Sequence, residues 1–421
     1  MSSPSGTTPA ISPAMVAAAR GLAEPRLSPD GRRLAWVEMV RGGSDLVVVA
    51  LDGGPAMVVT ADVPVTRSGA YGGGIFTWVG NDHLAYAGAD GQLVATPASG
   101  GPARILCREG RCFAPAGSPD GGRVAFVVER GDSADIAVVP LDGSQWPVRV
   151  TDGADFALDP SWSPDGATLA WHEWDLPDMP WDSSRIALRS LDGLALASPV
   201  RIVGGGSGVS VGQPRFSPDG GRLAYVSDQG GWANVWVSAA PDGSGARPVV
   251  QEEAEAAEPT WGAGQRSFVW SPESGRIAWC RNAGGFGSLV TAPVDSSGSG
   301  VEILGAGWHR GLDWRGEVLT AVRSGPRTAP GIIVGTPGGD WRVVARGPVA
   351  GFESAGLVEP EAVSWAGADG GEVSGLLYRP SSSDPGRELP PLIVGIHGGP
   401  TAAEVADWAP RRQFWLARGW A

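Results

Sequence analysis

The stretch Pro214-Arg215-Phe216-Ser217-Pro218-Asp219-Gly220-Gly221-Arg222-Leu223-Ala224-Tyr225-Val226 decides the fold. Apolar residues flank a tetrapeptide in which each position has a turn-forming reason. Proline presets φ at the first central position, aspartate tolerates the second, and glycine accepts left-handed backbone. A short strand therefore runs into Ser217, reverses, and leaves again from Arg222. A second alternating strand, Asn234-Val235-Trp236-Val237, follows and ends at an Asp242-Gly243 turn.

The tetrapeptide recurs as Ser28-Pro29-Asp30-Gly31, as Ser118 to Gly121 and as Ser163 to Gly166. Ser118 and Ser163 lie 45 residues apart, Ser28 and Ser118 lie 90 apart, and Ser163 and Ser217 lie 54 apart. A degenerate copy, Ser271-Pro272-Glu273-Ser274-Gly275, follows after the same longer interval. Weaker copies stand at Thr77-Trp78-Val79-Gly80-Asn81-Asp82 and Leu312-Asp313-Trp314-Arg315-Gly316. This makes about seven units between Pro25 and roughly Arg346. Several strands per unit at such a period describe a propeller blade, whose sheet buries its faces only by stacking on neighbours. The expected fold is mainly β: an about seven-bladed β-propeller over residues 25–352, whose blades resemble those of TolB. A lead-in over 1–24 precedes it, with a short capped helix from Ser12-Pro13 through Arg20, ending at Gly21. Asp30, Asp120, Asp165 and Asp219 then read as turn residues rather than catalytic carboxylates. The 19 tryptophans read mostly as filling between blades.

Composition narrows the function. A net charge of −13 with no basic cluster disfavours nucleic-acid binding. Three cysteines, Cys107, Cys112 and Cys280, are an odd number without regular spacing, so no disulfide framework is expected. His83, His172, His309 and His397 are scattered singly, which argues against a metal site, and no cofactor is expected. Met1 to Pro9 is polar and no apolar run nears the roughly 20 residues of a membrane span, so a cytoplasmic protein is the default expectation. Oligomeric state is left open, a homo-oligomer included. One insertion stands off the repeat. Trp174-Asp175-Leu176-Pro177-Asp178-Met179-Pro180-Trp181-Asp182 reads either as solvent-facing decoration or as a contact for a ligand or partner.

Residues 353–421 use a different pattern. Ala362-Val363-Ser364-Trp365 and Val373 to Tyr378 read as a hairpin around Asp369-Gly370-Gly371, and a polar linker follows at Ser381 to Arg387. Pro391-Leu392-Ile393-Val394-Gly395-Ile396 is a near-continuous apolar run of the kind a strand buried on both faces needs. It ends in His397-Gly398-Gly399-Pro400, and a helical stretch runs from Trp408 to Arg418. A strand ending in His-Gly-Gly is where α/β-hydrolases place part of their oxyanion hole, because glycine lets the backbone approach the substrate carbonyl.

The Glu359-Pro360-Glu361-Ala362-Val363-Ser364 stretch, the Leu376-Leu377-Tyr378-Arg379-Pro380 strand end and Ile396-His397-Gly398-Gly399-Pro400 together resemble the prolyl oligopeptidase family of serine peptidases. The likeness is to its acylaminoacyl-peptidase and dipeptidyl-peptidase-like bacterial branch. It implies a propeller capping an α/β-hydrolase that cleaves short or N-acylated peptides with a Ser-His-Asp triad. By this resemblance Gly399 is the backbone oxyanion donor, and residues 353–421 are the incomplete start of the peptidase domain.

The triad itself is expected to be absent from the chain. Gly208-Val209-Ser210-Val211-Gly212 matches Gly-x-Ser-x-Gly, but a propeller strand follows it where the nucleophile elbow needs a helix. Ser210 is thus read as a decoy. His397 shapes its loop in this reading, and Asp407 sits on the wrong element for a triad. The chain is expected to be an inactive N-terminal part of a peptidase, exposing apolar surface beyond about Leu389. The alternatives are a non-enzymatic propeller binding peptides or proteins, and another α/β-hydrolase chemistry such as an esterase.

Overall fold

The structure is a computed structural model describing residues 11–18, 20–40, 42–60, 62–66, 73–295, 298, 300–348, 350–352, 355–380 and 389–421. Most of the polar lead-in and the Ser381 to Arg387 linker lie outside the described residues. The first element is helix α1 (Pro13–Ala17), capped by Ser12, whose Oγ accepts from the Met15 amide at 3.2 Å. It is shorter than expected. Arg20 and Gly21 already belong to the first strand, Arg20–Leu27, because the Arg20 guanidinium bonds Glu38 and the Arg346 carbonyl across the ring closure.

The unit around Ser217 shows how a repeat folds. Strands β1 (Val211–Phe216), β2 (Arg222–Ser227), β3 (Asn234–Ala239) and β4 (Arg247–Pro248) pair antiparallel in sequence order. At the β1–β2 turn the Ser217 hydroxyl donates to Asp219 Oδ1 (2.5 Å) and accepts from the Arg222 amide (2.9 Å). Asp219 Oδ1 also accepts from the Gly221 amide (3.0 Å), and Gly220 holds φ at +74°. The Ser217 hydroxyl keeps the Asp219 carboxyl below the usual carboxylate range. Asp30, Asp120 and Asp165 make the same bonds to Ser28, Ser118 and Ser163, so all four aspartates are turn residues.

Five four-stranded sheets of this type stand separately, not about seven. The segment between them, with two Ser-Pro-Asp-Gly copies, is one nine-stranded sheet. The join is local: Ala134 pairs with Phe156 in parallel, and its amide donates to the Asp155 carbonyl at 3.0 Å. Apolar clusters fill the space between successive sheets. Trp78, Leu84 and Tyr86 meet Ala35 and Val37, for example, and Leu22, Leu34 and Trp36 meet Val322 and Ile332 where the ring closes. Tryptophan adds a second link. The indole N–H groups of Trp78, Trp162 and Trp270 donate to the carbonyls of Arg26, Ala116 and Arg215 on the neighbouring inner strand, at 3.0–3.1 Å.

Near the axis, opposite sides of the ring touch. A Cβ on Gly264 would fall 2.0 Å from the Gly74 amide nitrogen, and both glycines have φ of +81°. Only glycine fits such an approach.

The tail differs most from expectation. Strands β5 (Glu361–Ala366) and β6 (Glu372–Leu377) form the expected hairpin, and helix α2 (Pro410–Leu416) lies within the expected helical stretch. Pro391–Ile396 is not a strand. An apolar run becomes a buried strand only with parallel neighbours along its length, and Ala421, which bonds the Pro391 carbonyl and the Ile393 amide at 2.8 Å, meets it at one position. Val394 is 72% and Ile396 87% exposed, in line with the exposure expected beyond Leu389. The later tail departs from that expectation, because Ala406, Gln413 and Leu416 are buried. Gln413 accounts for part of this by donating to the Pro326 and Val358 carbonyls and accepting from the Val358 amide.

Candidate functional site

The tail returns to the propeller over a cavity of about 440 Å³ between inner-strand starts and the residues after His397-Gly398-Gly399-Pro400. Ser210 and Val211, at the start of β1, form one wall, and Thr401 to Ala403 form another. Trp181, from the insertion singled out in the sequence, packs against Trp261 with ring centroids 4.3 Å apart and the rings tilted by 39°. The insertion is pinned at its base by an Asp175–Arg185 ion pair of 2.6 Å. It is therefore a built part of the cavity and not loose decoration.

Three carboxylates face the same cavity: Asp228, Glu255 and Glu258. Asp228 accepts from the Ser210 amide (2.8 Å), and Glu255 accepts from the Ala233 amide (2.7 Å). Glu258 lies 3.7 Å from Arg310. Among the described residues, neither Asp228 nor Glu255 has a cationic partner. Burial pushes the Glu255 carboxyl up, and the negative charge of Asp228 adds to the push. The chemical offer is an aromatic wall beside uncompensated carboxylate, which suits a small ammonium group.

The sequence-derived residues fall around this cavity in different ways. Gly399 is exposed, two residues before the Thr401 wall, and a Cβ built on it would meet nothing within 4 Å. His397 is also exposed, with Nδ1 2.8 Å from the Gly398 carbonyl oxygen. Ser210 lines the cavity, but its hydroxyl donates to the Pro180 carbonyl (3.1 Å), and a strand follows it. That is not the strand–turn–helix setting of a nucleophile.

Asp407 has a structural partner, taking a 2.5 Å bond from Arg310. Beside it the Ala406 amide donates to Gly285, and the Trp308 indole donates to the Ala406 carbonyl. These contacts pin the tail to the last two sheets. His172 and His309 are buried in the propeller, where burial pulls them down to about 3 and about 4 respectively. Cys107, Cys112 and Cys280 are free thiols, and no cluster of three metal-ligating side chains occurs among the described residues. No helix among the described residues is long and apolar enough to cross a membrane.

No family model matches the chain. A solved puromycin hydrolase superimposes with TM-score 0.81 at 24% identity, covering 98% of this chain and 67% of that one. A structure from a study of two prolyl endopeptidases gives TM-score 0.71 at 15% identity, covering 97% and 62%. Among curated proteins, the lasso peptide isopeptidase AtxE2 of Asticcacaulis excentricus is 31% identical over 144 residues, 34% of this chain and 16% of that protein. The chain thus spans about two thirds of its solved neighbours and a much smaller part of the curated relative. These peptidase structures share the fold of this chain over nearly its whole length.

Proposed function

We propose that this chain is the propeller and the leading edge of the catalytic domain of a prolyl oligopeptidase-family serine peptidase that hydrolyses short peptides through an acyl-enzyme. The observation that carries the reading is the cavity where the tail following His397-Gly398-Gly399-Pro400 meets the propeller face. Gly399 supplies a backbone N–H to the oxyanion, residues 353–421 are the start of an α/β-hydrolase domain, and residues 25–352 are the propeller. The catalytic serine, aspartate and histidine are not in these 421 residues, so the chain alone does not turn over peptides.

Seven blades underlie the five separate sheets and the nine-stranded one. One residue with left-handed backbone lies at each innermost strand, at Glu24, Gly74, Ala114, Asp159, Gln213, Gly264 and Gly311, at intervals of 40 to 54 residues. The uncompensated Asp228 and Glu255 favour a substrate with a free amino terminus over an N-acylated one.

The test is to treat the purified chain with a fluorophosphonate and with aminoacyl p-nitroanilides. The expected result is neither labelling nor release of nitroaniline. Covalent labelling of any serine in the chain would overturn the assignment of inactivity. Hydrolysis of simple esters but not of anilides would favour an esterase.

A further inference from the structure

The second cavity, about 450 Å³, lies on the propeller axis at the opposite face, ringed by the turn prolines Pro29, Pro119, Pro164 and Pro218. We propose that it is a binding site for a small oxyanion, of the phosphate or carboxylate kind, held by Arg26, Arg215, Arg266 and Arg315. The argument is independent of the peptidase reading.

These four guanidinium groups line the cavity with Asp159 and Asp313. Their mutual compensation is poor. Arg26, with a side chain only 5% exposed, donates to the Pro25 and Gly311 carbonyls and lies 3.8 Å from Glu24, but its Nε has no partner. Arg215 bonds two carbonyls, of Pro214 (2.7 Å) and Gln265 (3.2 Å), and no carboxylate. Arg266 and Arg315 share Asp313 at 3.7 and 3.8 Å, both longer than a hydrogen bond. Asp313 is meanwhile occupied by the Leu27 amide at 2.8 Å.

Four positive groups therefore face three carboxyls, Glu24, Asp159 and Asp313. Positive charge is in excess even when all three are ionised. Burial pushes the Glu24 and Asp159 carboxyls up, which enlarges the excess. Burial and the charge of Arg266 draw Arg26 down to about 9 and Arg215 to about 10. Arginines that repel one another in a partly buried cavity are stabilised by an anion that brings charge and several acceptors at once. Asp159 keeps an unpartnered Oδ2 there, which in its protonated form donates to the same anion. The Gly74–Gly264 contact narrows the inner end, so the site suits a small group and not a threading chain.

The test is calorimetric and thermal titration of the whole chain with phosphate, at an ionic strength held constant with sodium chloride. Saturable binding and a rise in Tm beyond that given by chloride are expected. Arg315→Met, at the half-exposed rim, should weaken phosphate roughly tenfold, as should Arg266→Met. Arg149→Met, on an outer strand, should leave the affinity unchanged. If Arg266→Met does not fold, the rim variant still decides. An N-acetylated tripeptide with a free or an amidated C-terminus separates the two sources. Binding of the free-acid form in place of phosphate assigns a peptide carboxylate, and binding of phosphate alone assigns an inorganic ion. Equal effects of phosphate, the free-acid tripeptide and chloride, or equal phosphate affinities of Arg315→Met and Arg149→Met, would overturn the proposal.

Discussion

Replacing Gly264 by alanine tests the packing that narrows the propeller axis. The new Cβ would sit 2.0 Å from the Gly74 nitrogen and 2.3 Å from its Cα, both backbone atoms that cannot rotate away. The inner strands on opposite sides of the ring must separate by about 1.4 Å to reach ordinary contact at 3.4 Å. Left-handed backbone costs alanine about 1–2 kcal/mol, and forced overpacking costs about 1–3 kcal/mol more. The expected destabilisation is therefore about 2–5 kcal/mol, with the Gly264 amide bond to Asp159 strained as well. Gly231→Ala is the matched control, since Gly231 has φ of +92° and nothing within 4 Å of its Cβ position. That variant should lose only the backbone contribution, about 1–2 kcal/mol. Urea unfolding of both reads the difference as a midpoint shift at unchanged slope. Agreement of the two variants within about 0.5 kcal/mol would refute the close approach.

Three further outcomes follow from particular side chains. His172 is fully buried with both ring nitrogens unpartnered and is pulled down to about 3, and His309 to about 4. Folded-state values below the unfolded value of about 6.5 mean that this stability is present above pH 6.5 and falls as the pH drops towards 4. The loss should reach about 2–3 kcal/mol per histidine near pH 4.5, and His172→Phe should flatten the acid limb of a urea-midpoint profile. Asp407→Asn removes the charge that holds Arg310, so trypsin should cut at Arg411, Arg412 or Arg418 several-fold faster while the propeller fragment stays intact. A hydrogen bond from Cys112 lowers the Cys107 thiol to about 7, whereas burial raises Cys280 to about 11. Alkylation at pH 7.5, read by mass spectrometry, should therefore favour Cys107 over Cys280.

The Ser-Pro-Asp-Gly turns were legible because their bonds close within five residues, as between Ser217 and Arg222. The join between two units was not, since it rests on one bridge between Ala134 and Phe156 that no local pattern announces. Pro391–Ile396 has the composition of a buried strand, but composition cannot supply the neighbours a strand needs. The role of Asp407 depends on Arg310, 97 residues away. Of the cavity residues, Trp181 carried a signal through the insertion between repeat strands, and Ser210 carried one through its Gly-x-Ser-x-Gly match, which pointed to a nucleophile and not to a cavity wall. Asp228, Glu255 and Trp261 sit in ordinary loop sequence and become a site only when adjacent inner strands and the tail converge. The signal that could have found them is position, each lying near the turn at the tail-facing end of a repeat.

The central claim is that the cavity under the tail receives the amino end of a peptide. Titrating the chain calorimetrically with a short peptide, free or acetylated at its amino terminus, tests this most directly. The account predicts binding of the free-amine peptide that weakens roughly tenfold or more on acetylation, and to a similar degree in Glu255→Gln. Equal binding of the two peptides to the unmodified chain, or no binding of either, would contradict it.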